Sequence, residues 1–451
     1  MDDLADFYCA GAALNQGESP YTYEPLRSCE HRVNVGTGFR AQLFAGNPSV
    51  AVPAPQPPYD FPPFRALARL PFSAARIIDA AAILACVALT AAALATLGIP
   101  LALAAAALVL SSAYASLNTG QIVPFALLAL AICGVALSRG RDAPAGVLAV
   151  LVGVEPAAGL PVIAAMLLFV PRSRIAVVAT GLALLLLSIA TVGLRGVASY
   201  LSAVLPAHAA SELHFPFQYS LSYALAHFGA SDRAALAAGG ISYVVLLAIG
   251  LILAPRAAAA LQRRELLAYL PALCALIGGT FLHQEELCFA LPALLVLTTR
   301  ASGAYRVLGA FALCILAIPW ILVWAAKQLF LASLAVCFVI LDQLGIGLRR
   351  GLIVFCAVAA ALYLFELHAP HLPAPTTAPR LYAPSELIQG EWRDYTRARS
   401  TSDPLWFAIK LPAWIALLAA LVMAAQAEIQ SPLASEASLE SLRAGRHPPP
   451  A

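Results

Sequence analysis

Past residue 73 the chain runs as a succession of apolar stretches broken by short polar turns, and that pattern restricts it to one kind of fold. The stretches lie near 74–97, 99–117, 121–138, 145–154, 156–171, 174–194, 237–254, 266–282, 286–299, 306–325, 328–344, 352–367 and 405–425. A bilayer core is crossed by roughly 20 apolar residues in helical form, because a helix satisfies its own backbone donors and acceptors where no water can. Charged residues are only 11% of the 451, well under the roughly 25% of an ordinary soluble domain. We therefore expect an all-α integral membrane protein, a polytopic bundle of about 11–13 transmembrane segments with extracytoplasmic loops. The stretches 145–154 and 156–171 are too short to cross singly and read as a broken or re-entrant pair. Residues 1–73 are expected to form an extracytoplasmic, Pro-rich loop, 74–425 the membrane domain, and 426–451 a disordered cytoplasmic tail.

Arginine placement orients the bundle, since basic residues collect on the cytoplasmic side. If residue 1 lies outside, alternation puts Arg139, Arg141, Arg172, Arg174, Arg256, Arg263, Arg264, Arg300, Arg306, Arg349 and Arg350 inside. The outer turns near Thr119, Glu155, His283 and Lys327 then hold Lys327 as their one basic residue. The same assignment gathers Asp2, Asp3, Asp6, Asn118, Gln121, Glu155, Arg195, His208, His214, Gln218, His227, His283, Glu285 and Glu286 on the outer face, beside long loops expected at 195–236 and 368–404. A net charge of +3 spread over such a chain is too small to point to a nucleic-acid partner, and none is expected. Of nine cysteines, only Cys9 and Cys29 lie outside apolar segments. Outside the cytoplasm a disulfide persists, and the turn signals Gly17 and Pro20 between them would let the pair meet. No C-x-x-C spacing occurs, so no metal site of that kind is expected.

The polar residues fall into motifs. Asp3 to Tyr21 reads D-L-A-D-F-Y-C-A-G-A-A-L-N-Q-G-E-S-P-Y. Asp3, Phe7, Ala10 and Leu14 share one helical face, and Gly17 with Pro20 ends the helix. Further on come Pro57-Pro58-Tyr59-Asp60-Phe61-Pro62-Pro63, Asn118-Thr119-Gly120-Gln121, Val154-Glu155-Pro156, Phe217-Gln218-Tyr219-Ser220 and His283-Gln284-Glu285-Glu286. The acidic-aromatic run resembles the first external loop of bacterial family-87 glycosyltransferases, and the Tyr-Pro-Pro-like stretch resembles the signature preceding that family's next membrane helix. The likeness spans roughly residues 2–300.

That resemblance implies a GT-C-type membrane enzyme that takes a hexose, mannose among the candidates, from a polyprenyl phosphate. The acceptor would be lipid-linked or part of the cell envelope, the face extracytoplasmic, and the membrane the bacterial inner one. It implies Asp3 as catalytic base, with Asp6 one turn along as the second candidate. Gln121 would bond a sugar hydroxyl, and Phe217-Gln218-Tyr219-Ser220 would face carbohydrate. His283 would donate to the leaving phosphate, aided by Arg195 or Arg32, with Glu285 beside it. Relatives tend to carry Lys-Pro where this chain has Glu155-Pro156, so Glu155 reverses the charge there and would pair with an external arginine. A histidine and two acids at 283–286 could also hold a divalent cation, but the H-x-E-E spacing is too generic to assign one, and the donor lipid is the one cosubstrate the resemblance implies. The family usually has a membrane helix ahead of the acidic run. A transporter or flippase of polyprenyl-linked sugars is the rival reading, against which stands the lack of an internal repeat. An inactive family member is the third.

Overall fold

The computed structural model describes residues 2–33, 50–323, 327–368, 380 and 382–429. The tail from residue 430 and part of the Pro-rich segment lie outside the described residues. Helix is the regular secondary structure of the described residues, joined by non-helical segments and one isolated antiparallel bridge between Thr22 and Leu387. In chain order come α1 (Asp2–Asn15), α2 (Tyr23–Val33), α3 (Phe61–Leu67), α4 (Phe72–Thr96), α5 (Leu101–Thr119), α6 (Val123–Ser138), α7 (Asp142–Leu151), α8 (Pro156–Phe169) and α9 (Pro171–Glu212). They are followed by α10 (Leu221–His227), α11 (Asp232–Leu261), α12 (Leu266–Ala275), α13 (Leu291–Arg300), α14 (Gly303–Leu316), α15 (Lys327–Gln343), α16 (Leu348–Leu367), α17 (Gln389–Ala398) and α18 (Leu411–Ile429).

Six helical runs among the described residues are long and apolar enough to span a bilayer: α4, α5, α9, α11, α16 and the run Leu405–Ala427 that holds α18. Six shorter apolar helices lie among them. The chain is a multi-pass, all-α membrane protein. Exposure separates the lipid-facing from the interior helices. On α9 Ile175 and Leu194 are 84% and 70% exposed, and on α16 Leu348 is 88% exposed. By contrast every residue from Leu266 to Leu276 and from Leu287 to Leu297 is buried, so α12 and α13 form the protein-lined centre.

Three local features depart from or sharpen the apolar-stretch pattern. The stretch 266–282 does not stay helical: α12 stops at Ala275, and Gly279 has φ +124°, a conformation open to glycine. The segment from there to Gln284 is therefore free to turn its polar groups inward. The break at Glu155 is tight, because a Cβ on Gly159 would sit 2.4 Å from the Gly153 Cα. The expected loop at 195–236 is helix as far as Glu212. Gly193 (φ +75°) kinks α9, which then resumes with Tyr200, Val204, His208 and Ser211 buried at helical spacing.

Candidate active site

The site is built from the short helices outside the long spans. α1 lies across the ends of α3 and α5, fixed by two close backbone approaches. A Cβ on Gly11 would meet the Phe64 carbonyl oxygen at 2.4 Å, and one on Gly120 would meet the Leu4 Cβ at 2.6 Å. Around them Phe7 packs on Phe64 with ring centres 5.0 Å apart, and Tyr21 on Phe61 and Tyr200 at 5.7 Å each. Such aromatic contacts contribute about 0.5–1.5 kcal/mol apiece beyond burial. Cys9 and Cys29 are joined by a disulfide that ties α1 to α2. The far side of this unit is anchored by Tyr23 N–H to the Glu386 carbonyl at 2.8 Å and Ile388 N–H to the Tyr21 carbonyl at 3.1 Å. Glu30 and Glu391 accept from the Val52 and Ala51 amides at 2.9 and 3.1 Å, holding the segment after the undescribed residues against both helices.

These contacts bring α1 to the rim of a cavity of about 170 Å³. Asp3 and Asp6 line it together with Gln121, Glu155, His208, Glu212, His283, Gln284, Glu285, Glu286 and Trp392. Gln121, just past the left-handed Gly120 (φ +82°), donates its side-chain amide to Asp3 Oδ2. That bond occupies one carboxylate oxygen and orients the other.

On the opposite partners, His283 is held by a polar network. Its Nε2 stands 3.4 Å from Glu212 Oε2 and 2.7 Å from the Gln218 amide nitrogen. Gln218 cannot turn, because its Oε1 accepts from Leu282 N–H at 2.7 Å while its Nε2 donates to Glu212 at 2.7 Å. Trp392 Nε1 donates to the other Glu212 oxygen, and Glu286 accepts from the His283 backbone N–H at 2.7 Å. A neutral His283 ring would accept from Gln218; a protonated one shares Glu212 with it. Burial disfavours the charged ring, but the Glu212 hydrogen bond and the carboxylates of Glu212, Glu286 and Glu285 outweigh it and push its pKa up to about 10. With Nε2 engaged, Nδ1 is the ring nitrogen left for a ligand oxygen.

The loop carrying Gln218 is itself clamped. The fully buried Lys410 donates to the Pro216 and Trp406 carbonyls at 2.7 Å each, and Trp414 Nε1 donates to the Tyr219 carbonyl at 2.9 Å. On the remaining wall Glu155 is 8% exposed, and Tyr59 donates to the Gly153 carbonyl at 2.6 Å beside it. Burial pushes the Glu155 and Asp60 carboxyls well above the usual range and lifts Glu285 to about 7.

Of the residues singled out from sequence, Asp3, Asp6, Gln121, Glu155, His283 and Glu285 line one cavity, and Gln218 braces it from behind. Arg195 does not reach it: it is exposed on α9, two residues past the Gly193 kink. Ser220 caps α10, accepting from the Tyr223 N–H at 3.2 Å. Glu155 makes no ion pair with an arginine among the described residues. Glu212 and Trp392 escaped the sequence reading although they carry the His283 network. Among the described residues no three His, Cys, Asp or Glu side chains converge as metal ligands. A family model described as glycosyltransferase family 87 matches residues 57–283, half of the chain, taking in Gln121, Glu155, Glu212, Gln218 and His283. No curated protein and no solved structure matches the chain.

Proposed function

The chain belongs to glycosyltransferase family 87, and from that premise we propose that it transfers a hexose from a polyprenyl phosphate to a lipid-linked or cell-envelope acceptor at the outer face of the bacterial inner membrane, with inversion at the sugar. The observation that carries this reading is the pairing, within one cavity, of a carboxylate on an oriented helix end with a histidine held among carboxylates. Asp3 takes the proton of the acceptor hydroxyl as its oxygen attacks C1 of the sugar. The new O–C1 bond forms as the C1–O bond to phosphate breaks, and the electron pair leaves with the phosphate. The Nδ1–H of His283 meets the charge growing on that leaving oxygen, where a fixed donor in a sheltered site is worth most. Attack opposite the leaving group in a single step gives inversion. Gln121 keeps Asp3 in register, and proton transfer to a placed base is typically worth about 10²–10⁴ in rate.

The test is reconstituted protein supplied with a labelled polyprenyl-phosphate sugar and membrane lipid. Label moving onto a new lipid or glycan supports transfer. Label crossing the bilayer still on its polyprenyl carrier would instead establish a transporter.

A further inference from the structure

We propose that Glu212 is a positioning residue for the transfer: braced by Trp392 of α17, it fixes the His283 ring with Nδ1 toward the leaving phosphate oxygen. The inference rests on the transfer reading above. It adds to the site an external helix that lies beyond the residues 57–283 matched by the family model.

The backbone around His283 does not by itself aim the ring. α12 ends at Ala275, and the next helical residue is Glu285. A side chain on such a segment is placed by what its polar atoms meet. The His283 backbone N–H is held by Glu286 at 2.7 Å. Its ring Nε2 lies 2.7 Å from the Gln218 amide nitrogen and 3.4 Å from Glu212 Oε2. Gln218 is set in turn by Glu212, donating to that same Oε2 at 2.7 Å. Both contacts of Nε2 therefore run through one carboxylate oxygen. Without it the ring turns about its Cβ–Cγ bond, a torsion with broad wells, and presents either nitrogen to the cavity.

The other oxygen settles which way the carboxylate faces. Oε1 accepts from Trp392 Nε1, and Glu212 is 3% exposed. α17 is docked by contacts that do not involve this bond. Thr396 donates to the Ser211 carbonyl at 2.7 Å, Trp392 packs on Phe215 with ring centres 5.3 Å apart, and Arg397 pairs with Asp232. Burying a carboxylate costs desolvation, and apolar packing in its place is often neutral or stabilising. Fastening α17 to α9 therefore does not account for Glu212, whereas orienting the His283 ring does. The site is thus completed from a part of the chain about a hundred residues past His283.

The experiment uses the full chain in lipid nanodiscs and reads both turnover and the ring itself. With a labelled polyprenyl-phosphate hexose, Glu212→Gln should lower kcat more than about tenfold while the donor KM stays within about twofold. Trp392→Phe, which removes the N–H donor and keeps an aromatic ring, should give a smaller fall of the same kind. In a His283→Ala background each change should cost less than about twofold more, because a residue acting through His283 has nothing left to act on. Equal losses in the two backgrounds, or a loss confined to KM, overturn the proposal. Should Glu212→Gln fail to fold, Trp392→Phe decides by the same criteria. The second readout needs no substrate. In protein carrying isotope-labelled histidine, the His283 ring signal in NMR is the one missing from His283→Ala, and both other substitutions should shift it. An unmoved signal overturns the positioning role whatever the donor proves to be. A shifted signal in protein that transfers no hexose sustains the hold on the ring and rejects the transfer reading alone.

Discussion

At the scale of single residues, the proposed reaction assigns its proton transfers to Asp3 and His283, and each assignment has its own signature. Asp3→Asn keeps the shape and the Gln121 contact but cannot accept a proton, so turnover should fall by about 10²–10⁴ with the protein still folded in the membrane. Asp6→Asn should leave most activity. Reversal of these two outcomes would move the base one turn along α1. His283 writes itself into stability against pH. Its folded pKa, about 10, lies above the ordinary 6.5, so the folded state holds the extra proton. That stabilisation is complete below pH 6.5 and is lost as pH rises through about 10. Glu285, lifted from 4.5 to about 7, adds a decline of the same sign at lower pH, between those two values. The unfolding midpoint of the wild type should therefore fall steadily from pH 6.5 toward 10. In His283→Ala the upper part of that decline should flatten. Thermal unfolding across pH decides it, and an unaltered slope would mean Gln218 keeps the ring neutral.

At the scale of elements, the geometry that matters is the seating of α1. Gly120 and Gly345 both have left-handed φ, +82° and +60°, but only Gly120 faces a neighbour, with Leu4 at 2.6 Å from an added Cβ. An alanine at either site meets the same backbone strain of about 1–2 kcal/mol. At Gly120 alone it must also push α1, and Asp3 with it, away from Gln121. Misplacing a reacting group by about 1 Å can cost about 10²-fold. Gly120→Ala should therefore reduce turnover more than tenfold while Gly345→Ala does not, as steady-state kinetics on the two variants would register. Elements also mark where sequence reading ran out. The apolar stretches were legible because lipid admits few solutions, and the acidic run was legible because its turn residues end a helix within sight of its carboxylates. The extension of α9 was not, since hydropathy falls off after Leu194. Its signal lay in periodicity instead: Tyr200, Val204, His208 and Ser211 recur on one face. Glu212 and Trp392 sit 180 positions apart, and nothing local to either announces the other.

At the scale of the whole molecule, the cavity occupies one end of the bundle and the short basic turns around Arg139, Arg141, Arg263 and Arg264 the other, although Arg65 and Arg397 sit on the cavity side. Gln121 precedes α6 on the cavity side. At the far end of that helix Asp142 pairs with Arg264 at 2.9 Å, and Arg263 donates to the Leu97 carbonyl at 2.7 Å. The basic turns thus meet in one layer, separated from Asp3 by a helix of 16 residues, about 24 Å at 1.5 Å per residue. On the orientation proposed above, those basic turns are the cytoplasmic ones and the cavity faces outward. The disulfide reaches the same answer by different chemistry, because a bridge between Cys9 and Cys29 persists in an oxidising compartment and is reduced in the cytosol. α16 offers a direct test, since exposed Arg349 and His368 lie at its two ends. With the exposed native thiol Cys356 replaced by serine, single cysteines at these two positions are treated in intact cells with a membrane-impermeant maleimide. Position 368 should label and 349 should label only after the membrane is permeabilised. The opposite result would turn the cavity toward the cytosol. It would then expose the Cys9–Cys29 bridge to reducing conditions and leave the arginine layer facing the wrong side, so both arguments for the outer face would fall together.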